Sequence, residues 1–152
     1  MTIEERIEAL EKKIGIYKLE NKRWRAEKGE KYWFVCHDGV IDFNEEDDDR
    51  IDEGCYNRGN YFKTEEEAEL YDKKQLITQR VKDIALRLGV PTEEDWKRQE
   101  DVKYSILFNP VKDSLAQSAD IYIKAQSIYC LDKNFLKVCL EEIGEENLKL
   151  IF

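Results

Sequence analysis

Trp24 stands eight residues before Tyr32, and Trp96 stands eight before Tyr104. Each of these tyrosines follows a lysine (Lys31-Tyr32, Lys103-Tyr104) and opens a run of β-forming residues. Each run is followed by a second tyrosine-led segment where a strand end meets a helix cap: Tyr61-Phe62-Lys63-Thr64 and Tyr129-Cys130-Leu131-Asp132. The chain reads as one small module used twice, which constrains architecture strongly and chemistry weakly. The expected fold is α+β. An N-terminal, coiled-coil-like helix occupies 1–28, and two ββ(β)α modules with small antiparallel sheets occupy 29–89 and 90–152. Neither module holds enough apolar residues to stand alone, so one compact body is expected.

Local signals fill in this outline. Thr2 and Glu5 form a capping box, after which Ile3, Ile7, Leu10, Ile14 and Tyr17 recur at spacings of four and three, the seam of two heptads. That seam is expected to form a homo-oligomer, most simply a dimer, or else to lie across its own domain. Lys31 to Cys36 reads as a strand, His37-Asp38-Gly39 as a turn and Val40 to Phe43 as the partner strand. Thr64 caps a helix whose expected buried stripe is Leu70, Ile77, Val81, Ile84 and Leu88, stopped by Gly89 and Pro91. Thr92 and Asp95 form a second capping pattern. Tyr104 to Phe108 then reads as a strand, Asn109-Pro110 as a turn, and 111–116 and 121–131 as strand-like. Asp132 is expected to cap a closing helix that buries Phe135, Leu136, Cys139, Leu140 and Ile143, and the apolar C-terminus (Leu148, Leu150, Ile151, Phe152) is expected to pack.

The formal charge is −9, and its distribution says more than its size. Asp42, Glu45, Glu46, Asp47, Asp48, Asp49, Asp52 and Glu53 face Arg50 alone within twelve residues, so this one stretch holds seven of the nine excess negative charges. Such a surface repels phosphates and disfavours direct non-specific nucleic-acid binding. It reads as an acidic loop, either solvated or serving to recognise a basic partner. No apolar run approaches the ~18 residues of a membrane span, and no apolar leader opens the chain. Cys36, Cys55, Cys130 and Cys139 show no paired spacing. A soluble cytoplasmic protein with reduced thiols is expected.

Chemical motifs are sparse. Asp42, Asn44, Glu46 and Glu53 occupy positions one, three, five and twelve of a calcium loop, but Asp47 stands where the loop needs glycine and no helix precedes it. His37 is the only histidine; Cys36 beside it points to the opposite face of a strand, and a zinc set from His37, Cys36 and Cys55 lacks paired-ligand spacing. Gly54, Gly59 and Asn60 do not build a phosphate loop. No catalytic residue, metal or cofactor is expected. Trp24 between Arg23 and Arg25 could stack on a base or nucleotide, or could anchor the incoming segment on the core while the cations stay solvated.

The run G-E-K-Y-W-F-V-x-x-D-G (Gly29 to Gly39), followed by G-N-Y-F-K-T-E-E-E-A-E (Gly59 to Glu69) and I-G-E-E-N-L-K (Ile143 to Lys149), resembles small accessory proteins carried by phages and prophages of low-GC Gram-positive bacteria. These motifs are structural and bring no catalytic residue with them. The resemblance implies a gene serving replication, regulation or evasion of host defences. It points to a stoichiometric inhibitor of a host protein, a defence effector or nuclease complex, such as an anti-CRISPR factor acting in the bacterial cytoplasm. Two other expectations remain: a small-molecule or nucleotide-binding module built on Arg23, Trp24 and Arg25, and a structural or regulatory phage protein.

Overall fold

The structure is a computed structural model that describes residues 23–98, 100–120 and 127–152, together with Arg6. The heptad positions Ile3, Ile7, Leu10, Ile14 and Tyr17 lie outside the described residues. The fold is mixed α and β, with two small antiparallel sheets and, among the described residues, five helices. The chain divides into two compact units, Met1–Glu69 and Leu70–Phe152.

In the first unit, β1 (Lys31–Val35) pairs antiparallel with β2 (Ile41–Glu45), Trp33 opposite Phe43. Gly39 adopts φ 82° and donates its N–H to the Cys36 carbonyl, which closes the turn that His37-Asp38-Gly39 predicts. A third strand is reduced to its essentials. Trp33 and Phe62 exchange backbone hydrogen bonds at 2.8 Å, and the Asn60 side-chain amide takes the next ladder position, donating to the Val35 carbonyl at 2.7 Å and accepting the Val35 N–H at 2.8 Å. Alternation along the strands turns Tyr32 and Phe34 inward and leaves Lys31 and Phe43 exposed.

The core of this unit is aromatic. Tyr32 and Tyr61 stack at 3.9 Å between ring centroids, flanked by Ala26, Trp24, Phe34, Cys55 and Tyr56. Two buried phenols need hydroxyl partners inside the protein. Those partners come from the acidic stretch, which is not the loop its composition suggests. It turns after β2 and enters helix α1 (Arg50–Asn57), where Asp49 is the N-cap and Asp52 completes a capping box. The turn passes through Asp48 at φ 64°. Asp48→Ala should therefore cost about 1 kcal/mol more than Asp48→Gly, a difference readable from urea midpoints.

Helix α2 (Glu65–Leu88) starts at Thr64, whose Oγ1 accepts the Glu67 N–H at 3.2 Å, as the sequence predicts. Ile77, Val81, Ile84 and Ala85 are buried and Leu88 packs beside them; Leu70 departs from the expected stripe at 43% exposure, because the second unit's core reaches along the helix only as far as Ile77.

The second unit continues with α3 (Glu93–Lys97), capped by Thr92 and Asp95, and a hairpin of β3 (Lys103–Asn109) and β4 (Ser114–Asp120). The Asn109 side chain accepts the N–H groups of Val111 and Lys112, so 110–113 is turn and the strand begins later than its sequence suggests. Tyr104 and Cys130 form an isolated bridge. Helices α4 (Phe135–Ile143) and α5 (Glu145–Leu148) close the unit over a core of Ile77, Val81, Ile84, Ala85, Ile106, Cys130, Phe135, Cys139, Ile143 and Leu148. Leu150, Ile151 and Phe152 pack against it. Asp132 does not cap α4; its carboxylate accepts the Asn134 N–H in the preceding turn, and the helix starts after Asn134 without a side-chain cap.

Each tryptophan of the sequence pattern meets the tyrosine of its second segment, Trp24 against Tyr61 at 5.7 Å and Trp96 edge-on to Tyr129 at 4.9 Å. The Lys-Tyr steps are placed differently. Tyr32 is the buried member of the first, whereas Lys103 is the buried member of the second, its Nζ donating to the carbonyls of Arg98 and Asp101. A register offset of one residue exchanges the two faces of a strand.

Candidate functional site

The two tyrosine hydroxyls of the first core set the geometry of the acidic turn. Tyr32 donates to Asp52 Oδ1 at 2.8 Å and Tyr61 donates to Glu46 Oε2 at 2.5 Å. Asp52 is wholly buried. Asn44 Nδ2 also donates to its Oδ1 at 3.1 Å, while its Oδ2 accepts the backbone N–H groups of Asp47 at 2.9 Å and Asp49 at 3.3 Å. The turn thus wraps around a carboxylate with four donors, the number of acceptor positions it offers. Glu46 is equally interior. It receives Arg25 Nη2 at 3.0 Å and Nε at 3.3 Å, and the Asp48 N–H at 3.1 Å.

Of the eight acidic residues expected to meet a partner, Glu46 and Asp52 are therefore interior and hold the turn together. Asp42, Glu45, Asp47, Asp48, Asp49 and Glu53 are exposed. Asp49 caps α1 by accepting the N–H groups of Ile51 and Asp52. Glu53 accepts Arg25 Nη1 at 2.8 Å, and Asp48 lies 3.9 Å from Nη2 of the same guanidinium. Asp42 accepts the N–H of Phe43 at 2.8 Å. In the alternating ladder set by the Cys36 to Val40 and Glu46 to Glu30 hydrogen bonds, that N–H lies on the β2 edge facing away from β1, so Asp42 guards the edge against strand addition.

The electrostatics follow these contacts. The hydrogen bond from Arg25 holds Glu46 and Glu53 below the ordinary carboxylate range, and both raise the Arg25 guanidinium in turn. Burial pushes Asp52 up, but the hydrogen bonds from Asp47, Tyr32 and Asp49 outweigh it and leave Asp52 lowered. Asp47 moves the other way, raised by burial and then by the charges of Asp49 and Asp52. Lowered groups contribute stability that is complete above their unfolded values, about pH 4 to 4.5, and that is lost as pH falls through the folded values. A raised group adds stability as pH falls from its folded value towards the unfolded one. Urea midpoints should hold from pH 7 down to about 4.5 and then drop steeply, and Asp47→Asn should deepen the drop, because it removes the one raised carboxyl whose protonation offsets part of the loss.

Asp47, Asp49 and Asp52 bring their ligand oxygens within 4.8 Å of one another, the one such trio among the described residues. Loop closure accounts for that proximity, because Asp52 has its acceptor positions filled by donors. The calcium-loop spacing does not converge either: Asp42 and Asn44 lie in β2, and Glu46 turns inward to Arg25. His37 is exposed in the hairpin turn, and Cys36 beside it has its thiol raised by burial and by Asp38 and Asp42. The Trp24 segment serves the core. Trp24 packs on Tyr61, while Arg23 and Arg25 place their guanidinium carbons 4.0 and 5.1 Å from the Tyr56 ring centre.

A recess of about 500 Å³ opens beside the turn, lined by Lys28, Gly29, Phe43, Asn44, Glu45, Glu46 and Asp47. Composition did not mark Phe43 as a site residue, nor Glu46 and Asp52 as structural. The available signals were the D-x-x-D capping pattern at Asp49 and Asp52, and a tyrosine-rich core that required acceptors. No protein-family model, curated protein or solved structure matches the chain. No helix among the described residues is long and apolar enough to cross a membrane.

Proposed function

We propose that the chain is a phage-encoded inhibitor that binds a host defence protein stoichiometrically, as an anti-CRISPR or related counter-defence factor does, and that its contact surface is the acidic turn. One observation carries this reading. The acidic stretch is fixed from within by Glu46 and Asp52, so Asp42, Glu45, Asp47, Asp48, Asp49 and Glu53 are presented on a hairpin, turn and helix rather than on a solvated loop. Holding like charges together opposes folding, and a basic partner offsets that cost while gaining steering and specificity. The phage-protein resemblance supplies the biological setting, a host cytoplasm with a defence effector or nuclease complex as target, and the heptad spacing of Ile3, Ile7, Leu10, Ile14 and Tyr17 supplies a homodimer through the 1–28 segment. The alternative of a nucleotide pocket at Arg23, Trp24 and Arg25 gains nothing from the geometry, since Tyr61 and Tyr56 already pack against these side chains.

Quantitative co-purification of the tagged chain from host lysate tests the reading, with a single effector recovered in stoichiometric amount as the expected result. Asp47→Asn with Asp48→Asn should leave the thermal midpoint equal or higher and weaken capture about tenfold at low salt. Capture of the same effector by this variant at wild-type strength, at high and low salt alike, would overturn the acidic turn as the contact surface.

A further inference from the structure

The two faces of the first sheet differ. Tyr32 and Phe34 turn into the aromatic core, and α1 with the acidic turn lies behind them, where Asp52 accepts from Tyr32 and where Cys55 and Tyr56 pack on the same core. Alternation sends Lys31, Trp33 and Val35 of β1, and Glu45, Phe43 and Ile41 opposite them on β2, to the other face. Trp33 and Phe43 meet edge to face at 5.4 Å, Phe43 is 44% exposed, and none of the four apolar residues belongs to either apolar core. Two opposite charges close one end of this apolar strip. Lys31 and Glu45 face each other across the strands and are exposed, yet among the described residues neither forms a salt bridge; Lys31 Nζ lies 3.9 Å from the Phe43 ring centre instead.

We propose that this face binds a second copy of the chain, sheet against sheet, about a twofold axis that runs along the strands. That operation lays β1 of one protomer over β2 of the other, so Lys31 meets the partner's Glu45, Trp33 the partner's Phe43 and Val35 the partner's Ile41, and every contact occurs twice. A foreign surface would have to set an anion and a cation at the correct end of an apolar strip, an arrangement that the chain itself already carries. Asp42 closes the β2 edge to strand addition, which leaves the face as the route to self-association through this hairpin. The acidic turns fall on the outer sides of sheets that are themselves about 10 Å apart, beyond the screening length of about 8 Å at physiological salt, so their repulsion is weak. Five residues per strand span about 17 Å. The contact is therefore small and the dimer weak and reversible. It uses neither the heptad spacing nor the exposed acids of the turn, and it stands independently of the function proposed above.

The test is sedimentation equilibrium of the full chain carrying Ile7→Asp with Leu10→Asp, a background that removes the heptad positions from the comparison. This chain should still associate reversibly at high micromolar concentration. Phe43→Asp, at a position already exposed, should abolish the association. Lys31→Glu and Glu45→Lys should each weaken it about tenfold when studied alone, because both contacts between these positions become like-charged. An equimolar mixture of those two chains should associate as strongly as the background chain, since each copy then offers the charge that the other lacks. Recovery on mixing separates an intermolecular contact from a folding defect, which mixing does not repair. Association that Phe43→Asp leaves intact, or single variants that stay weak when mixed, would overturn the proposal. A background chain that stays monomeric at high micromolar concentration would overturn it too, and would leave the face to a partner other than a second copy.

Discussion

Asp52→Ala is expected to cost about 3 to 5 kcal/mol, the largest effect of any single substitution in the first unit, because it leaves several buried donors without an acceptor at once. The Tyr32 hydroxyl, the Asn44 amide and the N–H groups of Asp47 and Asp49 all converge on this one carboxylate. Native domains have only about 5 to 15 kcal/mol in total, so the variant should unfold the acidic turn and hairpin at modest urea concentration. Asp52→Asn should lie between the two, since it keeps one acceptor oxygen and turns an amide donor towards other donors. Loss of less than about 1 kcal/mol in Asp52→Ala, the cost of a single net hydrogen bond, would mean that the carboxylate does not organise the turn.

Phe135→Ala should cost a similar amount, about 3 to 5 kcal/mol, in the second unit, for a different reason. Phe135 is fully buried at the start of α4, within the cluster of Ile84, Ile106, Cys139 and Leu148. Truncation removes its transfer free energy and leaves a cavity that a close-packed core closes only in part. Leu136, its half-buried neighbour, is the internal comparison: Leu136→Ala should lower the thermal midpoint by less than half as much as Phe135→Ala. Equal shifts would show that the face of α4 turned to the core is not the one that buries Phe135, Cys139 and Ile143.

Much of the architecture was legible in the chain because it rests on local rules. The His37-Asp38-Gly39 turn, the Thr64 cap, the Thr92 and Asp95 box and the Ile77, Val81, Ile84 stripe are each decided by residues within a few positions of one another. What was not legible depended on long-range partners. Composition assigns Glu46 and Asp52 to solvent because isolated carboxylates are seldom buried. Their burial is set by Tyr61 and Arg25 in one case and by Tyr32 in the other, fifteen to twenty-one residues away. Helix α1 was hidden by the same acids, which read as an unstructured run until Asp49 and Asp52 are recognised as its cap. Lys103 makes the complementary point. The repeated Lys-Tyr step places it beside Lys31 in sequence logic, but a one-residue offset turns it inward, where carbonyls of its own loop receive its ammonium. For the candidate site, the sequence located the acidic surface but could not divide it into two structural and six exposed members, since that division is made by the side chains packed beneath it.

Amide hydrogen exchange across Asp47 to Glu53 at pH 7 tests the central claim most directly, that the acidic stretch is an ordered platform built around internal carboxylates. The Asp47 and Asp49 N–H groups, both donated to Asp52, should exchange at least about a hundredfold more slowly than in an unfolded chain, and Asp52→Ala should abolish that protection. Exchange of both groups at unfolded-chain rates in the wild type would contradict the account and return the stretch to a solvated acidic loop.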